Sequence, residues 1–222
     1  MYEMIQAEVV RDKYSSVPYL WIRNKKPNKS ICIMLPGLEY STQQPLFHYA
    51  TSLLADNNID ILHINYNFVK NKQFAKLSKM EKEQWIYEDV EAVVKEVLKD
   101  PHYEQCFLLS KSIGTIPMAM EWKSKNFIQN PVGIWLTPLL KEDLVFKTLL
   151  NTDIPSFFVI GNQDQHYIED RISLLENNNQ ISTLVIPNAN HSLEVNGDVL
   201  KSIEAMLLIM KRLQEFIHTY IR

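Results

Sequence analysis

Short apolar, β-branched runs recur along the chain with helical patterns between them: Ile31 to Leu35, Ile59 to Ile64, Phe107 to Leu109, Val132 to Leu136, Ser156 to Ile160 and Ile181 to Ile186. Uninterrupted apolar runs of this length suit strands covered on both faces. Their alternation with helices predicts an α/β protein with a mostly parallel central sheet flanked by helices on both sides. Ile86, Val90, Val93 and Val97 recur at helical spacing in a segment ending near Asp100-Pro101. Val199, Ile203, Met206, Met210, Leu213 and Ile217 do the same near the C-terminus, so both segments read as core-facing helices. Upstream, Ile5 to Val10 and Tyr19 to Ile22 predict two strands forming an antiparallel N-terminal edge, with Lys13 to Pro18 as their connection.

Composition narrows the picture. With 222 residues and no linker-like stretch, residues 1–222 are expected to form one domain. The chain is 46% hydrophobic and 22% charged, an ordinary globular balance. A formal charge of −3 and the lack of any base-reading motif argue against a nucleic-acid partner. Met1-Tyr2-Glu3-Met4 carries an acid and opens no long apolar stretch, and no apolar run is long enough to span a bilayer. A cytoplasmic protein with no membrane partner is expected; oligomeric state stays open. Cys32 and Cys106 lie inside predicted buried strands and suggest no disulfide. Neither has metal-ligand spacing, and His48, His63, His102, His166 and His218 form no metal motif.

The least regular piece runs from Asn67 to Lys82, where Lys70, Lys72, Lys76, Lys79 and Lys82 stand among polar residues with Phe68, Phe74 and Leu77. Its composition favours a solvated loop. The alternative is a small flap that draws an anionic substrate toward a pocket.

Candidate chemistry appears where Cys106-Phe107-Leu108-Leu109 gives way to Ser110-Lys111-Ser112-Ile113-Gly114 and then to an apolar-periodic segment. Strand, tight turn and helix in that order lift a serine toward solvent, with small residues two positions either side letting the helix pack closely. Ser112 is the candidate nucleophile, although a serine at a helix start is often only an N-cap. Lys111-Ser112 also ends like a phosphate-binding loop, but Glu104 to Ser110 contain no glycine to build an amide nest. Lys111 is instead expected to sit exposed beside the turn.

Acyl transfer by serine needs a base, an acid to orient it and donors for the oxyanion. Open parallel sheets place such groups beyond the C-terminal ends of their strands. Asp164 follows the run Ser156 to Ile160, where it could hold the base or cap the next helix. His191 follows Ile181 to Ile186 in the turn-rich Pro187-Asn188-Ala189-Asn190-His191-Ser192-Leu193. The order nucleophile, acid, base, each after its own strand, fits one hydrolase architecture and not the chymotrypsin or subtilisin types. After Ile31 to Leu35 comes Pro36-Gly37-Leu38, where the glycine can turn the backbone and aim an amide at the pocket. The N–H groups of Leu38 and Ile113 are the candidate oxyanion donors; the alternative is an ordinary strand-to-helix turn. Tyr40, Tyr66, Trp135 and Tyr167 lie near predicted strand ends, where aromatics either line a pocket or pack structurally.

These segments resemble the α/β-hydrolase superfamily, in particular its small capless, dienelactone-hydrolase-like members, over nearly the whole chain. Leu35-Pro36-Gly37-Leu38 is similar to the oxyanion loop, Ser110 to Gly114 to the nucleophile elbow, Gly161 to Asp164 to the acid loop and Asn188 to Ser192 to the histidine loop. The resemblance implies a serine hydrolase without a cap domain, acting on a small-molecule acyl substrate with no cofactor, through Ser112, Asp164 and His191. Three departures stand out: Ser110 replaces the elbow's first glycine, Pro117 falls in the following helix, and a serine stands where dienelactone hydrolases carry cysteine. A non-catalytic binding protein on the same fold is the rival reading.

Overall fold

The computed structural model describes residues 2–25, 28–99, 103–126 and 128–221. Eight strands form one sheet: β1 (Tyr2–Asp12), β2 (Ser15–Asn24), β3 (Ser30–Leu35), β4 (Asp60–Ile64), β5 (Gln105–Lys111), β6 (Pro131–Leu136), β7 (Ser156–Gly161) and β8 (Ile181–Ile186). Seven helices connect or follow them: α1 (Pro45–Asp56), α2 (Lys72–Lys76), α3 (Lys79–Val97), α4 (Thr115–Ser124), α5 (Asp143–Leu150), α6 (Glu169–Leu175) and α7 (Val199–Tyr220). The strand order is β1-β2-β4-β3-β5-β6-β7-β8. β1 and β2 are antiparallel, and β3 to β8 run parallel to one another. Among the described residues no inserted domain interrupts the crossovers.

Period-two alternation splits each parallel strand between two cores. Ile31, Ile33 and Leu35 face one layer together with Val90 and Val94 of α3, Ile116 and Met118 of α4 and Val145 of α5. Cys32 and Met34 face the other, with Phe47 and Leu54 of α1 and Ile209, Leu213 and Ile217 of α7. Both faces are therefore covered, as parallel sheets require. The chain moves from β3 outward to β4, then returns to the other side of β3 to lay down β5, which creates a topological switch point between β3 and β5.

Register brings the strand ends level. Leu35 pairs with Ser110, Lys111 with Leu136, Leu136 with Val159 and Gly161 with Ile186. The loops that begin at Pro36, Ser112, Thr137, Asn162 and Pro187 consequently open along one edge of the molecule.

Three sequence expectations need correction. The connection between β1 and β2 is only Lys13 and Tyr14, because the Asp12 carboxylate accepts the N–H groups of Tyr14 (2.7 Å) and Ser15 (3.0 Å), closing a tight turn. The stretch from Asn67 to Lys82 is not simply a solvated loop: Asn71 caps α2, Ser78 and Glu81 form a capping box for α3, and Phe68 and Phe74 stack in the core at 4.5 Å. Lys70, Lys72, Lys76 and Lys79 do remain exposed. In α7 the buried stripe is Ala205, Ile209, Leu213 and Ile217, while Val199 and Ile203, expected in the core, are exposed because the stripe starts only after the first turn. α3 ends at Val97 with Leu98 as its C-cap, just before the expected Asp100-Pro101; Asp100, Pro101 and His102 lie outside the described residues.

Candidate active site

The elbow forms because β5 runs straight into a 3-10 turn, Ser112–Gly114, and then α4. Ser112 takes φ +52°, a left-handed backbone that costs an ordinary residue on the order of 1–3 kcal/mol and persists only where packing imposes it. The packing here is Gly114: a Cβ at that position would collide with the Leu35 and Pro36 backbone. Ser110, in place of the first elbow glycine, does not crowd the turn; it is buried and donates to Met118 Sδ at 2.8 Å. Pro117 falls in the first turn of α4, where an amide has no intrahelical acceptor, so its missing N–H removes no helix bond.

The three side chains proposed from sequence meet. Ser112 Oγ lies 2.8 Å from His191 Nε2, and His191 Nδ1 lies 2.8 Å from Asp164 Oδ2. With its Nδ1–H donating to the carboxylate, the imidazole presents Nε2 as acceptor to the serine hydroxyl. Asp164 is buried and uses its other oxygen to accept the His166 N–H at 2.8 Å, so it shapes a turn and holds the imidazole at once. It does not cap α6, whose N-cap is Ile168. His166 also packs against His191, with ring centroids 5.4 Å apart.

The acid and histidine loops are bonded to each other between backbones and through the Asn162 side chain. The Gln163 N–H donates to Ala189 O at 2.9 Å, and the Asn188 N–H to Asn162 Oδ1 at 2.6 Å. A Cβ on Gly161 would overlap the Ala189 carbonyl, so only glycine permits this approach. Gly161→Ala is expected to lower stability by about 1–3 kcal/mol through this overpacking and to separate Asp164 from His191. Urea unfolding checks it, and an unchanged midpoint would refute the close-approach argument.

Ile113 follows Ser112 directly, and Leu38 follows Gly37 on the loop after β3. The Pro36-Gly37 turn lies against the elbow, where a Cβ at Gly37 would stand 3.5 Å from Ser112 Cβ. A cleft of about 330 Å³ borders the same turn, lined by Gly37, Leu38, Glu39, Tyr66 and Lys70 among others, with neither Ser112 nor His191 in its lining. The lysine-rich segment therefore borders the cleft at its leading end. A larger cleft of about 420 Å³, between Trp122 and Asp153, holds none of these groups. Of the strand-end aromatics, Trp135 is core, with Nε1 donating to Ser156; Tyr66 lines the cleft and donates its hydroxyl to Pro36 O.

Lys111 overturns its expectation. It is 1% exposed, with Nζ donating to Thr137 Oγ1 (2.8 Å) and to the main-chain oxygen of His191 (2.6 Å). Strand parity is the reason: Phe107 and Leu109 precede it on the same face of β5, the face that α1 and α7 cover. That parity was available in the sequence. Among the described residues, no cluster of His, Cys, Asp or Glu could hold a metal ion, and no helix is long and apolar enough to cross a membrane.

A level row of loops over a switch point, with serine on a strained elbow and histidine and aspartate on the loops beyond, defines an elbow-bearing α/β protein. Comparison with family models agrees, since residues 36–218 match the alpha/beta hydrolase domain, and the chain belongs to that family. A comparison with curated protein sequences finds no match. Solved structures share the fold at low identity. A member of the α/β serine hydrolases without lid from Xanthomonas campestris is 13% identical with TM-score 0.72, covering 99% of this chain and 95% of its own. A dienelactone hydrolase from Anabaena variabilis is 15% identical with TM-score 0.70, covering 100% and 99%. An esterase from Pyrococcus furiosus is 15% identical with TM-score 0.70, covering 98% and 93%.

Proposed function

We propose that this protein is a serine hydrolase that cleaves an ester or related acyl bond of a small molecule through an acyl-enzyme. Ser112 Oγ attacks the acyl carbonyl while His191 Nε2 takes its proton, and Asp164 holds the ring and stabilises the imidazolium. The N–H groups of Leu38 and Ile113 receive the developing oxyanion, each worth on the order of 10²–10³ in rate. His191 then returns the proton to the leaving group. Water, deprotonated by the same imidazole, attacks the acyl-serine and frees the acid. Every bond change uses groups of this chain and water.

The observation that supports this reading is the unbroken relay from Asp164 through His191 to Ser112, with both links at 2.8 Å. Two buried thiols, Cys32 and Cys106, held free in adjacent strands, suit a cytoplasmic setting. A site without an inserted cap suits short or exposed acyl groups. Fluorophosphonate treatment is expected to attach one label per chain on the peptide containing Ser112, and a p-nitrophenyl ester series to be cleaved fastest at short acyl length. A folded protein that takes no label and turns over no ester is instead a binding module; preference for long acyl chains would overturn the open-site argument.

A further inference from the structure

The ammonium buried beneath the nucleophile belongs to no step above, and its surroundings are too specific for a filler. Lys111 Nζ reaches three loops: it donates to Thr137 Oγ1 after β6 and to the His191 carbonyl after β8, and it lies 4.8 Å from the centre of the Tyr40 ring after β3. Lys111 also precedes Ser112 directly, so the backbone that carries the nucleophile carries the clamp. Burying an ammonium is costly unless its donors are met, and here two acceptors and an aromatic face meet it.

Apart from its ties to the acid loop after β7, the turn holding His191 is built from local contacts. Asn190 Oδ1 accepts the N–H groups of Ser192 (2.8 Å) and Glu194 (3.2 Å), and Leu193 takes φ +63°. These bonds shape the turn without fixing its distance from the elbow. We propose that Lys111 is a positioning residue for hydrolysis: its charged amine grips the His191 main chain and sets the imidazole against Ser112. This rests on the hydrolase reading given above.

The clamp has a titration. Burial lowers the Lys111 pKa from 10.5 to about 8, against the opposing attraction of Asp164 and Glu194. The ionisable groups around it are Asp164 after β7, His191 and Glu194 after β8, and Tyr40, whose own hydroxyl burial pushes up to about 12. A neutral amine keeps two N–H donors but loses the charge that strengthens both bonds and the attraction to the ring. Grip therefore weakens as pH rises through about 8.

The test begins with wild type and a fluorophosphonate. No label on Ser112 removes the hydrolase reading and this inference together. With labelling established, kcat is expected to descend on the alkaline side near pH 8. Lys111→Met, assayed per titrated site, should lose about 10- to 100-fold in kcat, the scale of a small misplacement of a reacting group. Its KM should stay within about twofold, because substrate binding is untouched, and the alkaline descent should vanish. A purely structural lysine would lower the melting temperature and leave kcat per titrated site and the pH profile alone. That result, or a wild type without the descent, overturns the inference while hydrolysis stands. Should Lys111→Met fail to fold, Thr137→Val keeps the amine and removes one acceptor; the descent should then move to lower pH, and an unmoved descent overturns the clamp.

Discussion

Ser112→Ala is expected to cut ester turnover by a factor of about 10⁴ or more while the fold and its melting temperature barely change. Without the hydroxyl no acyl-serine can form, and water must attack a carbonyl held only by the oxyanion donors. Stability should survive for a local reason: Oγ makes its hydrogen bond with His191 in a partly open site, and alanine inherits the same left-handed backbone, already imposed by Gly114 against Leu35. Initial rates on purified protein check it. A variant keeping more than about a tenth of wild-type kcat would mean that the nucleophile is elsewhere.

Asp164→Asn should come close to the same loss, about 10⁴-fold in kcat, by a different route. An asparagine oxygen can still accept the His166 N–H, so the acid loop keeps its turn. The amide nitrogen then faces His191 Nδ1 and donates to it, which drives the ring proton to Nε2. An imidazole protonated at Nε2 cannot accept the serine proton. Geometry is preserved and chemistry is lost. Equal melting temperatures with a collapsed kcat are the expected pair of measurements; a loss below about tenfold would falsify the orienting role.

Most of this site was legible because it depends on strand order and strand ends, which leave one-dimensional traces. Apolar runs fixed β3 to β8 within a residue or two, and the polar residues just beyond them held Ser112, Asp164 and His191. What escaped depends on packing between elements. Lys111 looked exposed because a lysine beside a turn usually is; its burial follows from α1 and α7 covering the face that parity assigns it. Val199 and Ile203 share their helical period with the core stripe of α7, and periodicity cannot tell where along a helix the partner surface begins. Phe68 and Phe74 sit in a lysine-rich stretch whose average polarity concealed two core anchors.

Ser112, Asp164 and His191 do not share equal mechanical support. Ser112 rises from β5, which has β3 on one side and β6 on the other, whereas His191 follows β8, the last strand, bonded along a single flank and only partly buried over Ser182 to Val185. Rims of sheets open at lower free energy than centres. Warming should therefore peel the histidine away while the elbow is still intact, so that heat silences this protein before it melts.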